Sequence, residues 1–362
     1  MSRGKLYLTI FLVLVVIALG TFFLRTPQPV IVLAPEVIFS TSLIDITNTM
    51  ITAWIITILL VVISLLATRN VKLVPSGLQN LFEAVVEAFY GLVKSIAGEQ
   101  KARIFLPVTA TIFFFIAFSN WAGLLPIFNS IGKFVGPEHV LVEELEKDEE
   151  GDVELTLFDS SGINLVGFNA DTVEIEFTET EATFDDTAGE EVALQFEEGA
   201  TEHEKAEEIE HALEAAGYDP DKTGHLLPIF RSVNTDLTVP LAMSLVSFFF
   251  VEYWAFRALG FGYLKKFFNV SSPIAFFVGI LELLSELIRI VSLTFRLFGN
   301  TLAGEVLLIM VVFLTPLLVV ELFYGLELMF AVIQAFIFAI LTVVFATMAT
   351  EGHGDEHGEK HT

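Results

Sequence analysis

The sequence has no cysteine, which excludes disulfides, thiolate metal sites and cysteine nucleophiles and leaves the redox compartment unreadable. It is also poor in positive charge, with 19 Lys and Arg against 45 Asp and Glu. The deficit is local: residues 138–222 hold 29 acidic and 3 basic side chains, and the remaining 277 residues hold 16 of each. A segment of that sign repels nucleic acid and anionic lipid, so neither is a partner of it. There is no G-x-x-x-x-G-K-[ST] loop, so the chain holds no nucleotide phosphates of its own. No residue pattern asks for a cofactor.

What the sequence has in excess is apolar surface. Hydrophobic residues make up 54% of the chain and occur in runs far longer than soluble proteins carry. A bilayer core of ~30 Å needs about 20 mostly apolar residues in helix. Six stretches qualify. The first, Leu6 to Leu24, follows a basic start (Arg3, Lys5) and reads either as an uncleaved anchor or as a secretory signal ending near Ala18-Leu19-Gly20. The second is Met50 to Ala67, the third Ile104 to Phe128 and the fourth Thr238 to Phe256. Between the second and third, Leu78, Leu81, Phe82, Val85, Phe89, Leu92, Val93 and Ile96 recur at helical spacing, an amphipathic helix for the membrane surface or for packing on other helices.

The last two stretches exceed what a membrane needs. Pro273 to Leu314 would be ~62 Å long as one helix at 1.5 Å per residue, and must tilt by about 60° or break. Pro316 to Thr350 would be ~52 Å long and follows a turn at Thr315-Pro316, so the two form a long hairpin. Arg3, Lys5, Arg69, Lys72, Lys101, Arg103, Arg257, Lys265 and Lys266 fall on one side if both termini are cytoplasmic, which puts the acidic segment outside. Within that segment Thr172 to Thr178 alternates as a strand does, and Asp152 to Phe158 nearly so. Glu204 to Ala216 reads as a helix ended by Gly217. A small α+β domain fits these signals; a disordered acidic linker is the alternative.

An ionisable side chain at mid-membrane costs at least ~2.5 to 3.5 kcal/mol on insertion scales. Arg296 stands almost at the centre of the fifth stretch, with about 18 apolar-rich positions to either end, too far to snorkel. Arg289, Ser292 and Asn300 share its helical face, whereas Glu305, nine residues on, lies about 180° round and ~13.5 Å along. On the sixth stretch Glu327 and Gln334 share a face. Taken singly, Asn, Ser and Gln in membranes usually bond neighbouring helices. Together with the acids and a central arginine they suit a water-filled half-path for an ion. Burial raises carboxylate pKa values toward the working range, while the guanidinium stays protonated. A fixed cation facing a moving carboxylate forces proton release and blocks leakage; the moving carboxylate must belong to another chain.

Ser292 to Glu305, SLTFRLFGNTLAGE, resembles the signature of subunit a of the F-type ATP synthase. Pro75 to Asn80, Asn120 to Pro126 (NWAGLLP), Arg231 to Leu237 and Gln334 to Phe338 resemble further elements of that family in the same order. The resemblance covers roughly 36–130 and 228–351. It implies a membrane stator that passes protons to and from an oligomeric ring of small hairpin subunits, each bearing a buried carboxylate, held by peripheral stalk subunits in the plasma membrane. Arg296 then matches the essential arginine. Asn300, Glu305 and Gln334 match positions of the intake half-channel, and Ser292 one near the other half-channel. Glu327 occupies a place where some relatives carry histidine, so the titrating partner of Glu305 is a second acid. The first hydrophobic segment and the insert from about Glu138 to Lys222 are additions to the family pattern.

The expected fold is thus an all-α polytopic membrane protein of about six membrane helices with a long tilted C-terminal hairpin, plus an acidic soluble α+β insert. Its parts are an N-terminal hydrophobic segment and external linker (1–48), membrane helices with the amphipathic surface helix (49–130), the acidic extracytoplasmic insert (131–227), ion-translocating membrane helices (228–350) and a His/Gly-rich cytoplasmic tail (351–362). His353, His357 and His361 in the tail are spaced for one helix face, but Gly352, Gly354 and Gly358 argue for an irregular end and against a metal site. The competing reading, a proton-coupled secondary transporter, predicts internal repeats that the two halves do not show. A mere anchor for the insert leaves Arg296 and Glu305 unexplained.

Overall fold

The computed structural model describes residues 35–351 apart from 41–44, 70, 76, 126–127, 129–130, 147–150, 159–162, 166–171, 179, 198, 268–271 and 315–318. The hydrophobic stretch Leu6 to Leu24, the Thr315-Pro316 turn and the histidine tail lie outside the described residues. In chain order the elements are an antiparallel strand pair, β1 (Val37–Ser40) and β2 (Asp45–Thr47), and helices α1 (Asn48–Thr68) and α2 (Leu78–Gly123). Then come β3 (Ile131–Val135), α3 (Pro137–Leu145), β4 (Gly151–Leu157), β5 (Ile163–Leu165), β6 (Thr172–Phe177), β7 (Glu181–Asp185), β8 (Glu191–Gln195), α4 (Glu202–Ala215) and β9 (Thr223–Pro228). Helices α5 (Thr238–Leu259), α6 (Pro273–Leu314) and α7 (Val319–Thr350) follow.

Among the described residues five helices, α1, α2, α5, α6 and α7, are long and apolar enough to cross a membrane. Thr47 caps α1, its hydroxyl accepting from the Met50 N–H at 3.4 Å. Beyond that turn α1 is apolar all round, with Trp54, Ile58, Val61 and Leu65 exposed. A helix satisfies its own backbone polar groups, so such a surface is suited to lipid.

Within α2 the amphipathic segment and the third span are separate helices, as expected, meeting at a break at Gly98, whose φ of 76° is open to glycine and costly for other residues. Ion pairs cluster at the break: Glu99 meets Lys94 at 3.1 Å and Arg103 at 3.2 Å. The amphipathic half turns Phe89 and Val93 into a core with Trp254 and Ala255 of α5 and Ala339, Val343 and Ala346 of α7. Small residues at 331, 335, 339, 346 and 349 line the buried side of α7 and allow close approach. A second cluster joins Ile112 and Ile116 of α2, Leu293 and Leu297 of α6, and Ala335 and Phe338 of α7. Lipid tails are as apolar as leucine, so these clusters hold by van der Waals contact and interhelical hydrogen bonds rather than by escape from water. Their consequence is register, because they fix which residues of α6 and α7 meet.

The acidic segment forms a unit of its own kind. Its seven antiparallel strands lie in the order β5-β3-β9-β4-β6-β7-β8. Alternation puts Val153 and Leu155, Val173, Ile175 and Phe177, and Ala182 and Phe184 on one face, where Val140, Leu141 and Leu145 of α3 and Ala206, Ile209 and Leu213 of α4 cover them. Fully burying a side chain such as Leu141 or Ile175 contributes roughly 1.5 to 3 kcal/mol. The other face carries Asp152 opposite Glu176 and Glu154 opposite Glu174.

Helix α4 begins in a capping box, Thr201 accepting from the Glu204 N–H while the Glu204 carboxylate accepts from the Thr201 N–H and hydroxyl, both at 2.9 Å. It ends with Gly217 at φ 96° and the paired bonds Tyr218 N–H to Leu213 carbonyl and Gly217 N–H to Glu214 carbonyl.

Candidate functional site

The polar stripe read from the sequence lies on α6. Leu293 and Leu297 on one side of that helix are buried against α2 and α7, which leaves Ser292 and Asn300 exposed and Arg296 half-buried on an adjacent face. Among the described residues no hydrogen bond or ion pair reaches Arg296. Its guanidinium therefore stands on a long apolar helix with no carboxylate paired to it among the described residues. Glu305 is half-buried on the same helix.

Four residues past Arg296, the Asn300 amide donates to the Gln334 side-chain oxygen at 2.7 Å. Gln334 is buried, held there because Ala335 and Phe338 beside it fill the α2–α6–α7 cluster. One turn further along α6, Gly304 faces Glu327: a Cβ at Gly304 would overlap the Glu327 carboxyl group. The missing side chain is thus what lets that carboxyl lie against α6. The structure brings together Asn300 with Gln334 and Glu327 with Gly304.

The sequence reading missed the polar layer behind this pair. Thr301 donates to the Asn120 side-chain oxygen at 3.3 Å, and Asn234 donates to the same oxygen at 2.6 Å. Trp121 donates its indole N–H to the Leu328 carbonyl at 3.2 Å. Gly123 leaves room for Ser232, which a Cβ would overlap. Ser119 Oγ, Ser232 Oγ, Asn234 Oδ1 and Gln334 Nε2 are buried without a hydrogen bond among the described residues. Buried polar atoms of this kind are where ordered water is held. A signal existed, since Asn120 and Asn234 both fall in elements matched to the family pattern, but a lone Asn in a membrane helix is ordinarily structural.

Among the described residues no group of three or more His, Asp or Glu side chains is placed to hold a metal ion. Five apolar helices, two of them carrying a charged and amide-rich seam, define a multi-pass membrane protein with polar chemistry inside its helix packing. Comparison with known proteins narrows that class. The family model of the ATP synthase A chain matches residues 50–158 and 210–347. The ATP synthase subunit a of Gloeobacter violaceus is 26% identical over 310 residues, 86% of this chain and 86% of that one. The ATP synthase subunit a of Helicobacter pylori is 24% identical over 302 residues, 82% of this chain and 88% of that one. The chain belongs to the ATP synthase A chain family, the membrane-sector, proton-translocating part of that enzyme. The internal stretch without a family counterpart, 159–209, is the middle of the acidic segment.

Proposed function

We propose that this chain is the stator through which protons enter and leave the rotor ring of an ATP synthase, with Arg296 as the fixed cation between two offset half-channels. The observation that carries the reading is the half-buried Arg296 guanidinium, free of any hydrogen bond or ion pair among the described residues. A permanent cation so placed is costly in a membrane and demands an anion. A carboxylate on a rotor subunit meets that demand once per passage: Arg296 favours its ionised form and so drives proton release as it arrives.

Intake runs past Glu305, Glu327, Gln334 and Asn300, whose seam is backed by the water-competent layer of Asn120, Asn234 and Thr301. Ser292, on the opposite side of Arg296 along α6, belongs to the other half-channel. The partners are a ring of small hairpin subunits with a buried carboxylate, peripheral stalk subunits and the bilayer, and the location is the plasma membrane. Both termini are cytoplasmic and the acidic insert faces outward, where a solvated appendage accounts for its composition. No group in this chain takes up ATP, so the phosphate chemistry lies in other subunits.

Arg296→Ala tests the reading. In inverted vesicles holding the assembled complex, ATP-driven proton pumping should disappear while assembly persists. Coupled pumping by that variant rejects the assignment.

A further inference from the structure

Two turns before Arg296 the helices bury a second ionic group that proton transfer, as set out above, does not use. Glu286 and Arg289 on α6 form an ion pair whose side chains are 4% and 16% exposed. Phe345 of α7 lies over the Arg289 guanidinium, 4.0 Å from ring centroid to carbon. On α5, Ser244 and Ser247 line a small cavity with Arg289, Leu293 and Phe345. That cavity has room for about one water. Ser247 is bonded to Thr342 at 2.8 Å, while the Ser244 hydroxyl is buried without a hydrogen bond among the described residues. The one other acid nearby on α5, Glu252, accepts from the Tyr263 hydroxyl at 3.1 Å. Among the described residues Glu286 is the only carboxylate that pairs with Arg289.

Stability does not explain the pair, because an apolar replacement for a buried ion pair is commonly neutral or stabilising. Position does. Arg289 precedes Arg296 by seven residues, on the same face and ~10.5 Å along the helix. It is just as permanently charged. Left unpaired, it would offer a passing rotor carboxylate a second cation and hold it ionised twice.

We propose that Glu286, assisted by the Phe345 ring, is a positioning residue that keeps Arg289 neutralised within the helix packing, so that Arg296 is the single cation the rotor meets. The proposal rests on the rotary reading above.

The test uses the complete ATP synthase in inverted vesicles, with ATP-driven proton pumping normalised to assembled complex. Glu286→Gln should reduce pumping about tenfold, the size of effect that a modest added barrier gives. The double variant Glu286→Gln with Arg289→Gln should pump at no less than about half the unaltered rate, because the stray cation is gone. A proton relay or a purely structural clamp predicts a double variant as impaired as Glu286→Gln or worse, and that result overturns the proposal. If Glu286→Gln does not assemble, the double variant decides alone: assembly with pumping above about half supports the proposal, and either lower pumping or failed assembly overturns it. Arg296→Ala in parallel keeps the two readings apart. Pumping retained there removes the rotary reading and this proposal with it, whereas pumping lost there leaves the Glu286 variants to report on positioning.

Discussion

The Asn300 amide and the Gln334 side-chain oxygen meet at 2.7 Å across α6 and α7, and this bond closes the polar seam on the C-terminal side of Arg296. Gln334 is buried and Asn300 exposed, so it is loss of the Asn300 amide that strands a buried group, the Gln334 side-chain oxygen. An unsatisfied buried group costs about 1 to 3 kcal/mol. We expect Gln334→Leu and Asn300→Leu each to lower ATP-driven proton pumping by about tenfold or more. The double variant should be less impaired than the sum, with a coupling of about 1 kcal/mol in a double-mutant cycle. Strict additivity would mean that the two amides act independently.

Gly304 and Glu327 make a steric prediction. A methyl group at Gly304 overlaps the Glu327 carboxyl, which must swing aside at the end of its flexible side chain and so leave its place against α6. Gly304→Ala should impair pumping, and Glu327→Asp in the same chain, which draws the carboxyl back by one methylene, should recover part of it. Glu327→Gln, equal in size, should not. Recovery by Gln as well as Asp would point to charge rather than space.

The long elements and their chemistry were legible because their signals are local. The apolar run from Pro273 to Leu314 is bounded as α6 is, with proline at the first helical position. The strict alternation of Thr172 to Phe177 appears as alternating burial in β6, and Gly217 ends α4 in the left-handed region. What stayed hidden depends on register between distant segments. Periodicity places Glu327 and Gln334 on one face of α7, yet it does not say that Gln334 meets Asn300 or that Glu327 meets Gly304. Strand β9 pairs with β3 and β4 from far along the chain, and β5 has three residues, too few for any period to show. The break at Gly98 was legible as well, since the amphipathic stripe ends at Ile96 and the next apolar run begins at Ile104.

On the open face of the sheet, Asp152 stands opposite Glu176 and Glu154 opposite Glu174. Like charges directly opposed across antiparallel strands are destabilising, at roughly 0.2 to 1 kcal/mol per pair. Glu176→Lys should therefore stabilise β4 and β6, seen as slower amide hydrogen exchange in those strands of the full-length chain. Raising salt should slow exchange in the unaltered chain and have less effect in the variant, since screening removes what the substitution already removed. Faster exchange in the variant at low salt would show that the opposed acids are not a liability.

Helix α4 should respond to acid and to base through two different glutamates. The N–H and hydroxyl of Thr201 bond to the Glu204 carboxylate and hold its pKa below the ordinary 4.5. A lowered carboxylate contributes stability that is full above its unfolded value and is lost as pH falls through the folded one. For Glu210 the shift is upward, caused first by burial and then by the Glu138 charge. Its contribution has the reverse sign: full below 4.5 and lost as pH rises through the raised value. Hydrogen exchange of α4, corrected for the intrinsic rate, should thus show protection that falls on both sides of the ordinary glutamate range. Glu204→Gln should flatten the acid side and Glu210→Gln the other. If Glu204→Gln leaves the acid-side loss intact, the capping box is not its source, and protonation of other acids of the sheet must account for it.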